Sequence, residues 1–187
     1  MKVASRRTGR LSLALTTLLL GTLLFTASGC NTKTKATPEN FTAALNAWFL
    51  EHPDCLLSNT RFPYETSDPA EIKQLTSLVK AQVLEVNQEA SIHVSRFTVS
   101  TVGTRYAPRF CFGHRVVSSI ESFTPPAVVN GFPQTQVVYH YTMQDVPIWA
   151  KTPEVQLAFP KLATALSGQA SDHATLAQTL AGWQVPD

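Results

Sequence analysis

The sequence predicts an α+β domain: two N-terminal helices, a small antiparallel sheet of three or four strands, and short C-terminal helices. Three observations carry this expectation. Apolar residues recur at helical spacing from Phe41 to Phe49 and from Ile72 to Val83. Between Ser91 and Met143 the period shortens to two, and β-branched and aromatic residues dominate. After Thr152 the punctuation of helices returns, with prolines and a glycine at element ends.

The first helix starts at Thr37-Pro38, an N-cap followed by proline at a position where a missing N–H is tolerated. Phe41, Ala44, Leu45, Trp48 and Phe49 form one apolar stripe, and Pro53 closes the helix. The second helix starts at Asp68-Pro69 with Glu71 at the capping-box position. Ile72, Leu75, Val79 and Val83 form its buried side. Both stripes read as core-facing surfaces rather than ligand grooves.

Ser91 to Thr101, Phe110 to Phe123 and Gln134 to Met143 read as strands. In the last of these, Val137, Tyr139, Tyr141 and Met143 alternate with Val138, His140 and Thr142. Gly113 marks a turn. Asn130-Gly131 is a hairpin signal, which Pro125-Pro126 and Pro133 extend to a longer loop. Thr152-Pro153-Glu154 opens a C-terminal helix, Pro160 kinks or restarts it, and Gly168 ends it. A last helix is predicted from Ser171-Asp172, with Leu176, Leu180 and Trp183 as its apolar positions and Asp172 as its N-terminal charge.

The N-terminus carries a different kind of signal. Lys2, Arg6, Arg7 and Arg10 precede an uncharged, Leu-rich run from Leu11 to Phe25, and Ala27-Ser28-Gly29 place small residues ahead of Cys30. A basic start, an apolar stretch and a small-residue cleavage point describe an export signal. With the cysteine directly after it, Ala27-Ser28-Gly29-Cys30 resembles the lipobox of bacterial lipoproteins. The resemblance implies cleavage before Cys30, a thioether-linked diacylglycerol and an acylated amino terminus. Stable membrane attachment follows, since it takes more than one acyl chain. Asn31 stands where Asp commonly retains such proteins in the inner membrane, so the resemblance favours the outer membrane, facing the periplasm.

A plain secretory signal is one alternative. An uncleaved membrane helix is another, borderline against the ~20 apolar residues a span needs. Arg6-Arg7 is followed by Thr8-Gly9-Arg10 rather than a bulky apolar residue, which points to general secretion over the twin-arginine route. The chain thus divides into a signal peptide at 1–29, a polar lipidated tether at 30–37 and one domain at 38–187, with no internal repeat.

Processing changes the charge balance. The whole chain has 15 Lys and Arg against 13 Asp and Glu, a net charge of +2. Four of those bases and none of the acids lie in 1–29, so the mature chain carries 11 against 13 and a net charge of about −2. No Lys/Arg stripe follows, and nucleic acid is not expected as a partner.

Two cysteines remain beside Cys30. In an oxidising compartment the even pair Cys55 and Cys111 favours a disulfide. A sharper alternative uses His52-Pro53-Asp54-Cys55 and Cys111-Phe112-Gly113-His114, where a histidine stands three residues from each cysteine in mirrored order. His52, Cys55, Cys111 and His114 have the ligand types of tetrahedral zinc. Against it, thiolates persist poorly outside the cytosol. There is no C-x-x-C pair for redox chemistry.

No G-x-S-x-G, H-E-x-x-H or P-loop pattern is present, and no cofactor is expected. His93 and His140 lie in predicted strands among hydroxyl residues, and Asp172-His173 opens a predicted helix; each is a candidate catalytic group only if the fold brings it an acid. Trp149, in the proline-bounded segment 145–150, either plugs the end of the sheet or anchors a partner. Phe110-Cys111-Phe112-Gly113, together with Val146-Pro147-Ile148-Trp149-Ala150, resembles sequence of uncharacterised bacterial lipoproteins. That likeness covers about the C-terminal half and implies no activity.

Three readings follow: a noncatalytic envelope lipoprotein that binds an envelope protein, lipid or wall component; an envelope hydrolase with a nonstandard site; and a zinc-stabilised module.

Overall fold

Thr37 caps the first helix, its hydroxyl accepting from the Asn40 amide at 3.4 Å. Helix α1 runs Pro38–Glu51 and buries Phe41, Leu45 and Phe49, with Ala44 and Trp48 partly covered. The computed structural model describes residues 32–89 and 93–186. The predicted signal peptide, Cys30 and the first two residues of the strand expected from Ser91 lie outside them. No helix among the described residues is long and apolar enough to cross a membrane.

A short strand, β1 (Tyr64–Thr66), precedes α2 (Pro69–Lys80). Asp68 caps α2 as expected, its carboxylate accepting from the Ala70 and Glu71 amides. Glu71 does not complete a capping box. Its carboxylate accepts instead from the hydroxyls of Tyr64 at 2.8 Å and Thr66 at 2.6 Å, tying the helix to β1. Leu75 and Leu78 are buried on α2. Val83, predicted on the same stripe, is buried beyond the helix end, because Gln82 takes a left-handed conformation (φ 62°) and turns the chain into a strand.

That strand, β2 (Leu84–Glu89), pairs with β3 (Val94–Val99), and β3 pairs with β1, giving a three-stranded antiparallel sheet ordered β1-β3-β2. Sequence reading missed β1 and β2. The second sheet is larger: β4 (His114–Phe123), β5 (Ala127–Val129), β6 (Phe132–Gln144), β7 (Ala170–Thr179) and β8 (Gly182–Gln184). Its order is β4-β6-β7-β8, with β5 paired to the start of β6. The expectation of one sheet with three or four strands is therefore replaced by two antiparallel sheets.

The alternation predicted for β6 holds. Thr135, Val137, Tyr139 and Tyr141 are buried, whereas Gln136 and Thr142 face outward. The loop predicted around Asn130-Gly131 is instead a two-residue hairpin turn. Both residues have positive φ (51° and 84°), the combination that matches the twist of the flanking strands. Pro125 and Pro126 separate β4 from β5.

Pro153 opens α3 (Pro153–Ala158) and Pro160 restarts the chain as α4 (Pro160–Leu166), with Gly168 at φ 75° beyond it. The helix predicted from Ser171 is absent: 170–184 forms β7 and β8. Leu176 and Trp183 are buried as expected, but Leu180 is 98% exposed at the β7–β8 turn. The free edge of β6 decides this. Eight residues of β7 pair along it, and that ladder outweighs the local helix preference of an Ala-rich segment.

Helix α1 packs across β4 and β8, while α2 packs on β2 and α3. The Val117 amide, at a bulge in β4, donates to Asn46 Oδ1 at 2.8 Å and pins α1 to the sheet. Phe41 meets Trp183 edge-on at 5.1 Å inside that interface.

Candidate functional site

The cleft under the C-terminal end of α1 is built around Arg115. Alternation along β4 puts Arg115 and buried Val117 on the same face, toward α1. From β6 come Tyr139 and Tyr141. Asp172 on β7 is the register partner of Tyr139, so both project from the same face. Asp54 comes from the loop after α1. The Asp54 amide donates to the Gly113 carbonyl at 2.9 Å, and the Phe112 amide donates to the Asp54 carbonyl at 2.8 Å. The Cys55–Cys111 disulfide lies beside these bonds and ties that loop to the start of β4. Gly113 is required for this approach: its φ is 122°, and a Cβ there would collide with the Gln144 carbonyl.

Arg115 binds two carboxylates. Its Nε donates to Asp54 Oδ2 at 2.8 Å and its Nη2 to Asp54 Oδ1 at 3.2 Å. Its Nη1 reaches Asp172 Oδ2 at 2.7 Å and the Tyr139 hydroxyl at 3.2 Å. The guanidinium also lies 4.6 Å from the centre of the Tyr141 ring and 5.4 Å from that of Phe49. The Trp48 indole stacks on the His52 ring, 4.2 Å between centres, at the rim. The cleft encloses about 330 Å³. An open groove between α1 and β8 continues from it, sharing Trp48, His52 and Val185.

Two charges in this cleft, those of Arg115 and Asp172, are held by their surroundings. Burial disfavours the Arg115 cation, but the hydrogen bonds it donates to both aspartates outweigh this and raise its pKa further. Burial likewise opposes the Asp172 anion, yet the Arg115 hydrogen bond and the His173 amide hold its pKa below the usual range. Burial pushes the Tyr139 hydroxyl up to about 12, with Arg115 opposing part of that shift. Burial also raises Tyr141. At neutral pH Arg115 and Asp172 are therefore charged and Tyr139 is neutral. Such groups bind and orient; proton transfer at pH 7 favours groups titrating near 7.

The structure places the residues singled out from the sequence as follows. Cys55 and Cys111 are joined to each other, so neither is a thiolate for zinc. His52 Nδ1 lies 2.8 Å from the Trp48 carbonyl, and His114 Nδ1 lies 3.4 Å from Asp145. No group of three His, Cys, Asp or Glu among the described residues is placed to hold a metal. His93 is exposed in the turn ahead of β3. His140 lies 3.3 Å from Glu121, but both side chains are about half exposed on the outward face of the sheet, away from the cleft. Asp172 is not a helix N-terminal charge; it sits in β7 and pairs with Arg115, while His173 is exposed beside it.

Trp149 is 4% exposed and packs edge-on against Tyr106 and Phe110. It plugs the core, and a partner contact through its ring would require it to leave that packing.

Sequence reading missed Arg115, Asp54 and Tyr139 as a site. One signal was present: a charge at 115, two positions before Val117, falls on the inward face of a β-branched strand. Comparison of this chain with protein-family models, with curated proteins and with solved structures finds no match.

Proposed function

We propose that this protein is a lipid-anchored lipoprotein of the bacterial cell envelope, attached through Cys30 and most consistent with the outer membrane. Its domain acts as a noncatalytic module that binds an envelope protein, lipid or wall component. The Cys55–Cys111 bond is the observation that carries this reading. Disulfides form and persist outside the reducing cytosol, and this one stands in a chain whose start resembles a lipoprotein signal. The Arg115 cleft supports binding over turnover, because Arg115 and Asp172 are already paired and stay charged at neutral pH.

The test is to express the full chain and Cys30→Ala in a bacterium supplied with an alkyne-tagged fatty acid. The native chain should take up the tag and fractionate with membranes, and the variant should do neither. Crosslinking of the membrane-bound native chain should then trap an envelope component at the cleft. Hydrolytic turnover by the purified protein, abolished by substitution at His140 or Asp172, would overturn the noncatalytic assignment.

A further inference from the structure

We infer that the end of the larger sheet carrying the β5–β6 and β7–β8 turns lies against the lipid bilayer. This rests on the Cys30 anchor proposed above. The register brings the two turns together. Gln134 of β6 pairs with Ala177 of β7, and two residues further on β6 begins at Phe132 and β7 ends at Thr179. The Asn130-Gly131 and Leu180-Ala181 tips therefore project from the same edge of the sheet.

Those tips expose apolar side chains. Val128 is 74% exposed, Phe132 55%, Val129 44% and Leu180 98%. Segments 124–139 and 174–186 contain no Asp, Glu, Lys or Arg at all. Exposed Leu157, by contrast, stands near Lys73, Lys80 and Glu154. Scattered exposure of that kind is ordinary, whereas a charge-free apolar end is a docking feature.

The chain's start selects the occupant. The Trp183 indole N–H donates to the Thr34 and Lys35 carbonyls at 3.2 and 3.0 Å, and Gln178 donates to the Thr34 carbonyl at 2.7 Å. The Lys33 backbone packs against Gly182, directly after the Leu180-Ala181 tip. Residues 32–35 are thus held at this end of the sheet. Cys30 is two residues before Thr32, and two peptide units reach only ~7 Å. An acylated Cys30 is therefore tethered within that reach of Thr32, whose neighbours Lys33 to Lys35 are held beside Gln178, Gly182 and Trp183, so the tips at this end meet the same membrane. Lys33 and Lys35 stand at headgroup level, where cations are drawn to anionic lipids. Seating the tips fixes the domain's orientation instead of leaving it free on its anchor.

The experiment uses the full-length, processed protein reconstituted in phosphatidylethanolamine–phosphatidylglycerol vesicles. Single variants Val128→Cys, Leu180→Cys and Thr142→Cys are labelled with an environment-sensitive nitrobenzoxadiazole probe. Cys30 is acylated and Cys55–Cys111 is bonded, so the introduced thiol alone reacts. Thr142 is exposed and lies ten residues along β6 from Phe132, about 30 Å away. Probes at 128 and 180 should be quenched several-fold less by aqueous iodide than the probe at 142. Equal quenching at all three positions, with lipid found on Cys30 by peptide mass, would overturn the docking and leave the anchor standing. An unmodified Cys30 in protein recovered free of membrane would overturn both. Protection at 128 and 180 in the Cys30→Ala protein without vesicles would assign the surface to a second copy and overturn bilayer docking.

Discussion

Arg115 and Asp54 meet through two hydrogen bonds, 2.8 and 3.2 Å long, although 61 residues separate them in sequence. The same guanidinium holds Asp172, a further 57 residues on. One cation thus joins the loop after α1, β4 and β7, and it leaves a cleft with two carboxylates to one guanidinium, lined otherwise by aromatic, aliphatic and histidine side chains.

Removing that cation leaves two half-buried carboxylates facing each other. Arg115→Met should destabilise the domain by about 2 kcal/mol, less than the ~3–5 kcal/mol of a fully buried pair because water screens part of the charge. Asp54→Asn should cost less, since Asp172 still neutralises the cation. Urea unfolding midpoints of the two variants check the order.

Tyr139 makes stability fall at high pH. Its folded-state pKa, about 12, is above the value near 10 expected in the unfolded chain. The unfolded chain therefore ionises first. The contribution is fully present below about pH 10 and is lost as pH rises through about 12. Tyr141 is shifted in the same direction, so Tyr139→Phe should reduce the alkaline slope without abolishing it. Asp172 works with the opposite sign: its lowered pKa stabilises above the unfolded aspartate value near 3.9, and that stability is lost as pH falls through the folded value. Stability measured by denaturant across both ranges, native against Tyr139→Phe and Asp172→Asn, reads each contribution.

The Cys55–Cys111 bond closes a loop with a sequence separation of 56. Chain entropy predicts about 4 kcal/mol of stabilisation for a loop of that length. Cys55→Ser/Cys111→Ser should lose most of this and also loosen Asp54 from Arg115. Pairing it with Arg115→Met should then cost less than the two losses added, which a double-mutant cycle measures.

Two glycines with positive φ should respond differently to alanine. At Gly131 nothing stands within 4 Å of an added Cβ, so only the backbone strain is felt, about 1 kcal/mol. At Gly113 the same strain is joined by collision with the Gln144 carbonyl, and the cost should exceed ~2 kcal/mol. Thermal unfolding of the two variants separates the effects.

Local chemistry made the helices and β6 legible in the sequence. Thr37, Asp68, Pro153 and Pro160 mark helix starts through caps and fixed φ, and the alternation at 137–143 marks a half-buried strand. Distant partners hid the rest. Leu176, Leu180 and Trp183 have helical spacing, yet the edge of β6 recruits the segment as strand. Glu71 sits where a capping box needs it but is taken by Tyr64 and Thr66. The site was hidden for the same reason: Asp54, Arg115, Tyr139 and Asp172 are unremarkable one by one, and only the sheet register and the pinned loop after α1 bring them together.

The anchor is tested most directly by the mass of the N-terminal peptide from membrane-extracted protein. The account predicts a chain beginning at Cys30, carrying diacylglycerol on sulfur and an acyl group on nitrogen, with Cys55 and Cys111 recovered as one linked pair. A peptide retaining residues 1–29, or beginning elsewhere with an unmodified Cys30, would contradict it.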